Sequence, residues 1–120
     1  MDWPMTVEIY HNPRCSKSRQ TLALLQERGL KPTITQYLET PPDASRLTSV
    51  LAKLQLRPLD IMRTGEQAYR DAQDEVEAMD EAAQIAWLVA NPKVLQRPIV
   101  INGDRARIGR PPESVLEILP

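Results

Sequence analysis

This 120-residue chain has no phenylalanine and only one cysteine and one histidine, Cys15 and His11. A single cysteine excludes an internal disulfide framework and agrees with a reducing compartment. With a single histidine beside it, a structural zinc site of the usual Cys/His kind is excluded as well. Neither sign of charge dominates: fifteen Lys and Arg against sixteen Asp and Glu leave a net charge of −1. That balance offers no broad electrostatic footprint for nucleic acid or for an anionic membrane. Long apolar runs are missing too, since the longest, Ile85 to Ala90, is six residues and a membrane span needs about 20. The opening Met-Asp-Trp-Pro-Met has no basic region and no apolar stretch, so no secretory signal is expected. No internal repeat and no Gly/Ser linker divides the sequence. Neither G-x-x-x-x-G-K-[ST] nor G-x-G-x-x-G occurs, which removes support for a nucleotide cradle. At 42% apolar and 26% charged residues, the composition is that of a globular chain able to bury a core without covalent staples. One domain over residues 1–120, in the cytoplasm, is the expectation.

The residues that are present suggest an order of elements. Val7 and Ile9 alternate with Glu8 and Tyr10 as a short strand does. His11-Asn12-Pro13-Arg14 reads as a turn, because Asn-Pro starts turns and proline ends the strand. From Cys15 a helical pattern runs through Leu22, Leu24 and Leu25 to a glycine stop at Gly29. Residues 33–38 read as a second strand, and Asp43 as the cap of a helix whose stripe is Leu47, Val50, Leu51 and Leu54. Strand, helix and strand within about thirty residues form a βαβ unit, which implies parallel pairing. Residues 58–94 show no strand alternation. Within them the run 71–81 holds six acidic residues and reads as a solvated helical face and connector. Ala82 to Ala90 reads as a buried helix ended by Asn91-Pro92. Two short strands, 98–101 and 105–108, flank Asn102-Gly103 as a hairpin, and Pro111-Pro112 open a last helix with Val115, Leu116 and Leu119. The expected class is α/β: a thioredoxin-like three-layer α/β/α fold with a mixed four-stranded sheet. Its order is β-α-β, a helical insertion at about 42–94, then β-β-α.

Chemistry concentrates in Tyr-His-Asn-Pro-Arg-Cys-Ser-Lys-Ser-Arg, residues 10–19. This stretch sets the only cysteine after a strand-ending turn and in the first turn of a helix. Unpaired N–H groups and the positive end of the helix dipole favour a thiolate there. Such surroundings, with cations nearby, lower a cysteine pKa from about 8.5 into roughly 3.5–7.5. Arg14, Lys17 and Arg19 supply the cations. The alternative for Cys15 is a buried structural thiol, and for His11 a turn residue bonded to backbone. No C-x-x-C is present, so the chain cannot close its own disulfide and needs an external thiol for any redox cycle. A phosphatase loop would need arginine at position 21, where Thr21 stands. Cys15-Ser-Lys-Ser18 is a C-x-x-S arrangement, which leaves a monothiol glutaredoxin-like role open.

Taken in order, H-N-P-R-C-S-K-S-R-Q-T-L, Y-L-E-T-P-P, Arg63 in I-M-R, Q-R-P-I-V and G-R-P-P-E-S-V-L-E-I-L-P resemble the ArsC family. That family comprises arsenate reductases coupled to glutathione and glutaredoxin. The resemblance extends from Ile9 to Pro120 and is greatest to the YfgD-like branch, in which Ser16 and Lys17 stand where well-studied reductases carry Gly and Thr. It implies that Cys15 is the nucleophile toward arsenic and that His11 helps favour its thiolate. It implies that Arg63, Arg97 and Arg110 bind the arsenate oxyanion. Guanidinium forks suit that task because they match a tetrahedral oxyanion and stay charged throughout. The resemblance further implies no bound cofactor, glutathione as co-substrate, glutaredoxin as partner, a monomer, and neither nucleic acid nor membrane as partner. A thioredoxin-like fold also implies a cis peptide before Pro98, beside the cysteine. Two other readings use the same residues. One is a monothiol oxidoreductase acting on glutathione mixed disulfides. The other is an interaction protein resembling Spx-like regulators that bind RNA polymerase, although the C-x-x-C switch usual in those is missing.

Overall fold

In the computed structural model, which describes residues 7–119, Val7–Tyr10 forms strand β1. Val7 and Ile9 are buried on one face, as a period of two requires. Strand β1 pairs in parallel with β2 (Thr33–Thr35) and antiparallel with β3 (Ile99–Asn102). Strand β3 then pairs antiparallel with β4 (Arg105–Ile108), giving the order β2-β1-β3-β4. Register sets Ile9 between Ile34 and Val100. The β3–β4 loop turns at Gly103, whose φ of +63° lies in the left-handed region that glycine enters freely.

Helix α1 (Ser16–Glu27) connects β1 to β2. It ends in a Schellman motif: Leu30 N–H donates to Leu25 O, Gly29 N–H to Gln26 O, and Gly29 takes φ +78°. Leu25 joins Val7, Ile9, Val100, Val115 and Ile118 in one core, with Leu22, Leu24, Leu30 and Leu119 packed against it. The result is a mixed four-stranded sheet flanked by helices, the thioredoxin-like arrangement that the sequence leads one to expect.

Two elements of this part differ from expectation. Strand β2 stops at Thr35 rather than at position 38. Glu39 and Thr40 N–H both turn back to Gln36 O, which buries Tyr37 completely and leaves Ile34 and Leu38 exposed. Anchoring one tyrosine outweighs lengthening an edge strand. The last helix is 3-10 rather than α, over Pro112–Ile118. Its buried residues are Pro112, Val115 and Ile118, a spacing of three that a helix with three residues per turn keeps on one side.

The chain divides into two compact units, residues up to Thr40 together with Arg97 onward, and Pro41–Gln96. The second is helical, with α2 (Ala44–Leu54), α3 (Gln67–Ala78) and α4 (Glu81–Ala90). Asp43 caps α2 by accepting from Arg46 N–H, and Asp80 caps α4 by accepting from Ala83 N–H, each at 2.8 Å. The acidic run is therefore split, its C-terminal part starting a new helix. Helix α4 is less buried than the helix expected for 82–90: only Gln84 and Leu88 are buried, with Gln84 Nε2 donating to Val76 O. A cleft of about 470 Å³ in this unit is lined by charges that are already used, among them the Arg57–Glu81 ion pair and the capping Asp80. Among the described residues no helix is long and apolar enough to cross a membrane.

Candidate active site

Pro13 ends the extended path of β1, and the turn that follows makes Cys15 the N-cap of α1, with φ −96° and ψ 123°. Its N–H donates to Asn12 O and its carbonyl accepts from Arg19 N–H. The sulfur makes no cap hydrogen bond of ordinary length. It nevertheless faces the N–H groups of Ser18 and Lys17 at the positive end of the helix. Burial pushes the Cys15 thiol up, but the Ser18 N–H, the Arg97 guanidinium and the Lys17 N–H together outweigh it. The net result is a thiol below its ordinary range.

His11 behaves differently from a charged partner. It is buried at 6% exposure, and its Nδ1 lies 2.6 Å from Ser18 Oγ. Burial, with Arg19 adding to it, holds the imidazole below its usual pKa, so it is neutral at pH 7. Ser18 Oγ also accepts from Asn12 N–H at 3.0 Å, and Asn12 Oδ1 from Arg14 N–H at 3.0 Å. A lone pair of Ser18 Oγ is thus committed to Asn12, and its hydroxyl hydrogen is free to point at His11 Nδ1. These bonds fasten the turn 11–14 onto the first turn of α1.

Arg97 and Arg110 come to the same cysteine from the other end of the unit. Arg97 lies two residues before β3, and the Arg97–Pro98 peptide is cis as expected; Arg110–Pro111, for which the sequence carries no expectation, is also cis. Arg110 Nη2 lies 3.5 Å from Cys15 Sγ while its Nε donates to Arg97 O at 2.8 Å. One arginine thus holds the backbone of the other, and both guanidinium groups act on one thiol.

A scan against family models matches residues 10–118 to the ArsC family. The chain belongs to the ArsC family. An arsenate reductase of Haemophilus influenzae is 44% identical over 116 residues, covering 96% of this chain and 100% of that one. The uncharacterized protein YfgD of Escherichia coli K12 is 49% identical over 114 residues, with 94% and 96% covered. The solved structure of an arsenate reductase from Vibrio cholerae superposes with a TM-score of 0.91 at 43% identity, covering 98% of this chain and 100% of that chain.

Of the site residues that the sequence suggested for this ArsC-family protein, four (His11, Cys15, Arg97 and Arg110) lie in the first unit. Arg63 belongs to the second unit, where its Nη1 pairs with Glu66 Oε1 at 2.8 Å and its N–H donates to Val94 O. Sequence reasoning noted Ser18 only as the end of a C-x-x-S pattern, whereas its hydroxyl serves His11 and Asn12. The place of Ser18 as the third helical residue after the N-cap concerns its N–H, and no local signal marks the partners of its hydroxyl. Among the described residues no cluster of three His, Cys, Asp or Glu is placed to hold a metal.

Proposed function

We propose that this chain is an arsenate reductase that converts arsenate to arsenite with Cys15 as the nucleophile. The observation that carries the reading is the pair of guanidinium groups at a thiol held below its ordinary pKa. A thiolate attacks arsenic, and an arsenic–sulfur bond forms as one oxygen leaves as water. Arsenic stays As(V) in that step. Two thiols then supply two electrons, so As(V) becomes As(III) while the thiols become a disulfide. With one cysteine in the chain, at least one of those thiols comes from outside, and the family resemblance names glutathione, with glutaredoxin reducing the mixed species. Arg97 and Arg110 hold the oxyanion and stabilise its developing charge, and His11 supports the thiolate by holding Ser18. Arg63 is added as an oxyanion ligand on the resemblance alone. In this reading the enzyme is one domain and a cytoplasmic monomer with no resident cofactor.

The test is a coupled assay with arsenate, glutathione, glutaredoxin and NADPH. NADPH consumption should require arsenate and disappear in Cys15→Ser. Turnover of a glutathione mixed disulfide, with none of arsenate, would favour the monothiol oxidoreductase instead. That rival also uses a thiolate favoured by nearby cations, but it has no oxyanion for the two guanidinium groups to hold. Replacing Arg110 by Ala should lower arsenate turnover by about 10²-fold, the usual effect of losing one donor to a developing oxyanion. The same change should affect iodoacetamide alkylation of Cys15 much less, since alkylation involves no oxyanion.

A further inference from the structure

Gly109 stands where β4 ends and the chain turns into Arg110. Its φ lies outside the left-handed region, so the backbone there would accept an L residue. Space is what excludes one. A Cβ at Gly109 would fall 2.5 Å from Thr21 Oγ1, 3.1 Å from Thr21 Cγ2 and 2.8 Å from Pro98 Cγ. Neither neighbour can give way. Thr21 is fully buried, and both of its branches lie in the path, so rotation exchanges one obstacle for another. Its hydroxyl also donates to Lys17 O at 2.8 Å, and the Pro98 atom belongs to a rigid ring. At Gly65, by contrast, a Cβ would meet nothing within 4 Å.

The three segments in this contact are the ones that carry the site. Helix α1 begins after Cys15, Pro98 follows Arg97, and Gly109 precedes Arg110. Gly109 N–H donates to Pro98 O at 2.9 Å. One residue later, Arg110 bonds Arg97 O and reaches Cys15 Sγ. We propose that Gly109 is a positioning residue: its bare Cα lets the segment lie against Thr21 and Pro98, and that approach sets the reach of Arg110 onto Cys15. The inference rests on the site reading proposed above, but its test needs no arsenate.

The pH dependence of Cys15 alkylation by iodoacetamide is compared between Gly109→Ala and the unsubstituted protein. The midpoint should rise by about half a pH unit or more, because a guanidinium drawn away from a thiolate no longer favours it. In an Arg110→Ala background the same Gly109→Ala change should add nothing, since the group that Gly109 seats is gone. An unmoved midpoint, or an equal rise in both backgrounds, would overturn the proposal. If Gly109→Ala alone does not fold, the comparison is made in Thr21→Ala, which clears the threonine branches and leaves the Pro98 contact. A smaller rise of the same sign then supports the proposal, and no rise overturns it. Failure of the unsubstituted protein to reduce arsenate, with these shifts intact, would count against the proposed reaction and not against the role of Gly109.

Discussion

Ser18 ties three parts of the site together. Its hydroxyl meets His11 Nδ1 and Asn12 N–H, while its own N–H faces the thiol. Ser18→Ala leaves both partners buried without their bond, and each such loss costs about 1–3 kcal/mol. A loss of unfolding free energy of that size, read by urea or heat denaturation, is the expected outcome. His11 adds a pH dependence of definite sign. Burial holds its folded pKa below 6.5, so between the two values only the unfolded chain takes up the proton. Stability is therefore whole above about pH 6.5 and is lost as pH falls from there through the lowered folded value. In His11→Asn, melting temperature should fall less between pH 7 and pH 5 than in the unsubstituted protein.

Helices α1 and α2 end alike, with different residues at the same position. In α1 Leu30 N–H returns to Leu25 O around Gly29, and in α2 Leu56 N–H returns to Leu51 O around Gln55. Gln55 takes φ +60°, a conformation that is unfavourable by about 1–2 kcal/mol for a residue with a Cβ. Gln55→Gly should therefore stabilise the fold by about 0.5–1 kcal/mol once the greater freedom of unfolded glycine is subtracted. Asp43→Ala should destabilise it by about 1 kcal/mol by removing the α2 cap. Both are read by chemical denaturation. These two ends also mark what was legible in the sequence. The glycine stop, the Asp43 cap, the alternation of Val7 with Ile9 and the Asn-Gly hairpin are local signals, and local hydrogen bonding decides them. The shortened β2 and the 3-10 ending were not legible. There a partner distant in sequence decides, as the sheet core does by taking Val115 and Ile118 at a spacing of three.

For the whole molecule, the same division separates the cysteine from its arginines. Cys15 announces itself by a turn, a helix start and basic neighbours within ten residues. Nothing in composition or spacing picks Arg97 and Arg110 out of eleven arginines. Only the pairing of β1 with β3, or a family resemblance, brings them to it. An oxyanion held among these groups should stabilise the folded state by mass action, by about 2.7 kcal/mol at a hundredfold excess over its Kd. Melting of Cys15→Ser in rising sulfate or arsenate measures this, and the gain should vanish in Arg97→Ala with Arg110→Ala. The separation along the chain also orders events in time. Arg110 lies 95 residues after Cys15, and synthesis proceeds from the N-terminus. While the ribosome is still making the chain, the emerging thiol has neither guanidinium beside it and lacks the share of its activation that they supply. That share waits until the last strands have been translated and β3 has been laid against β1.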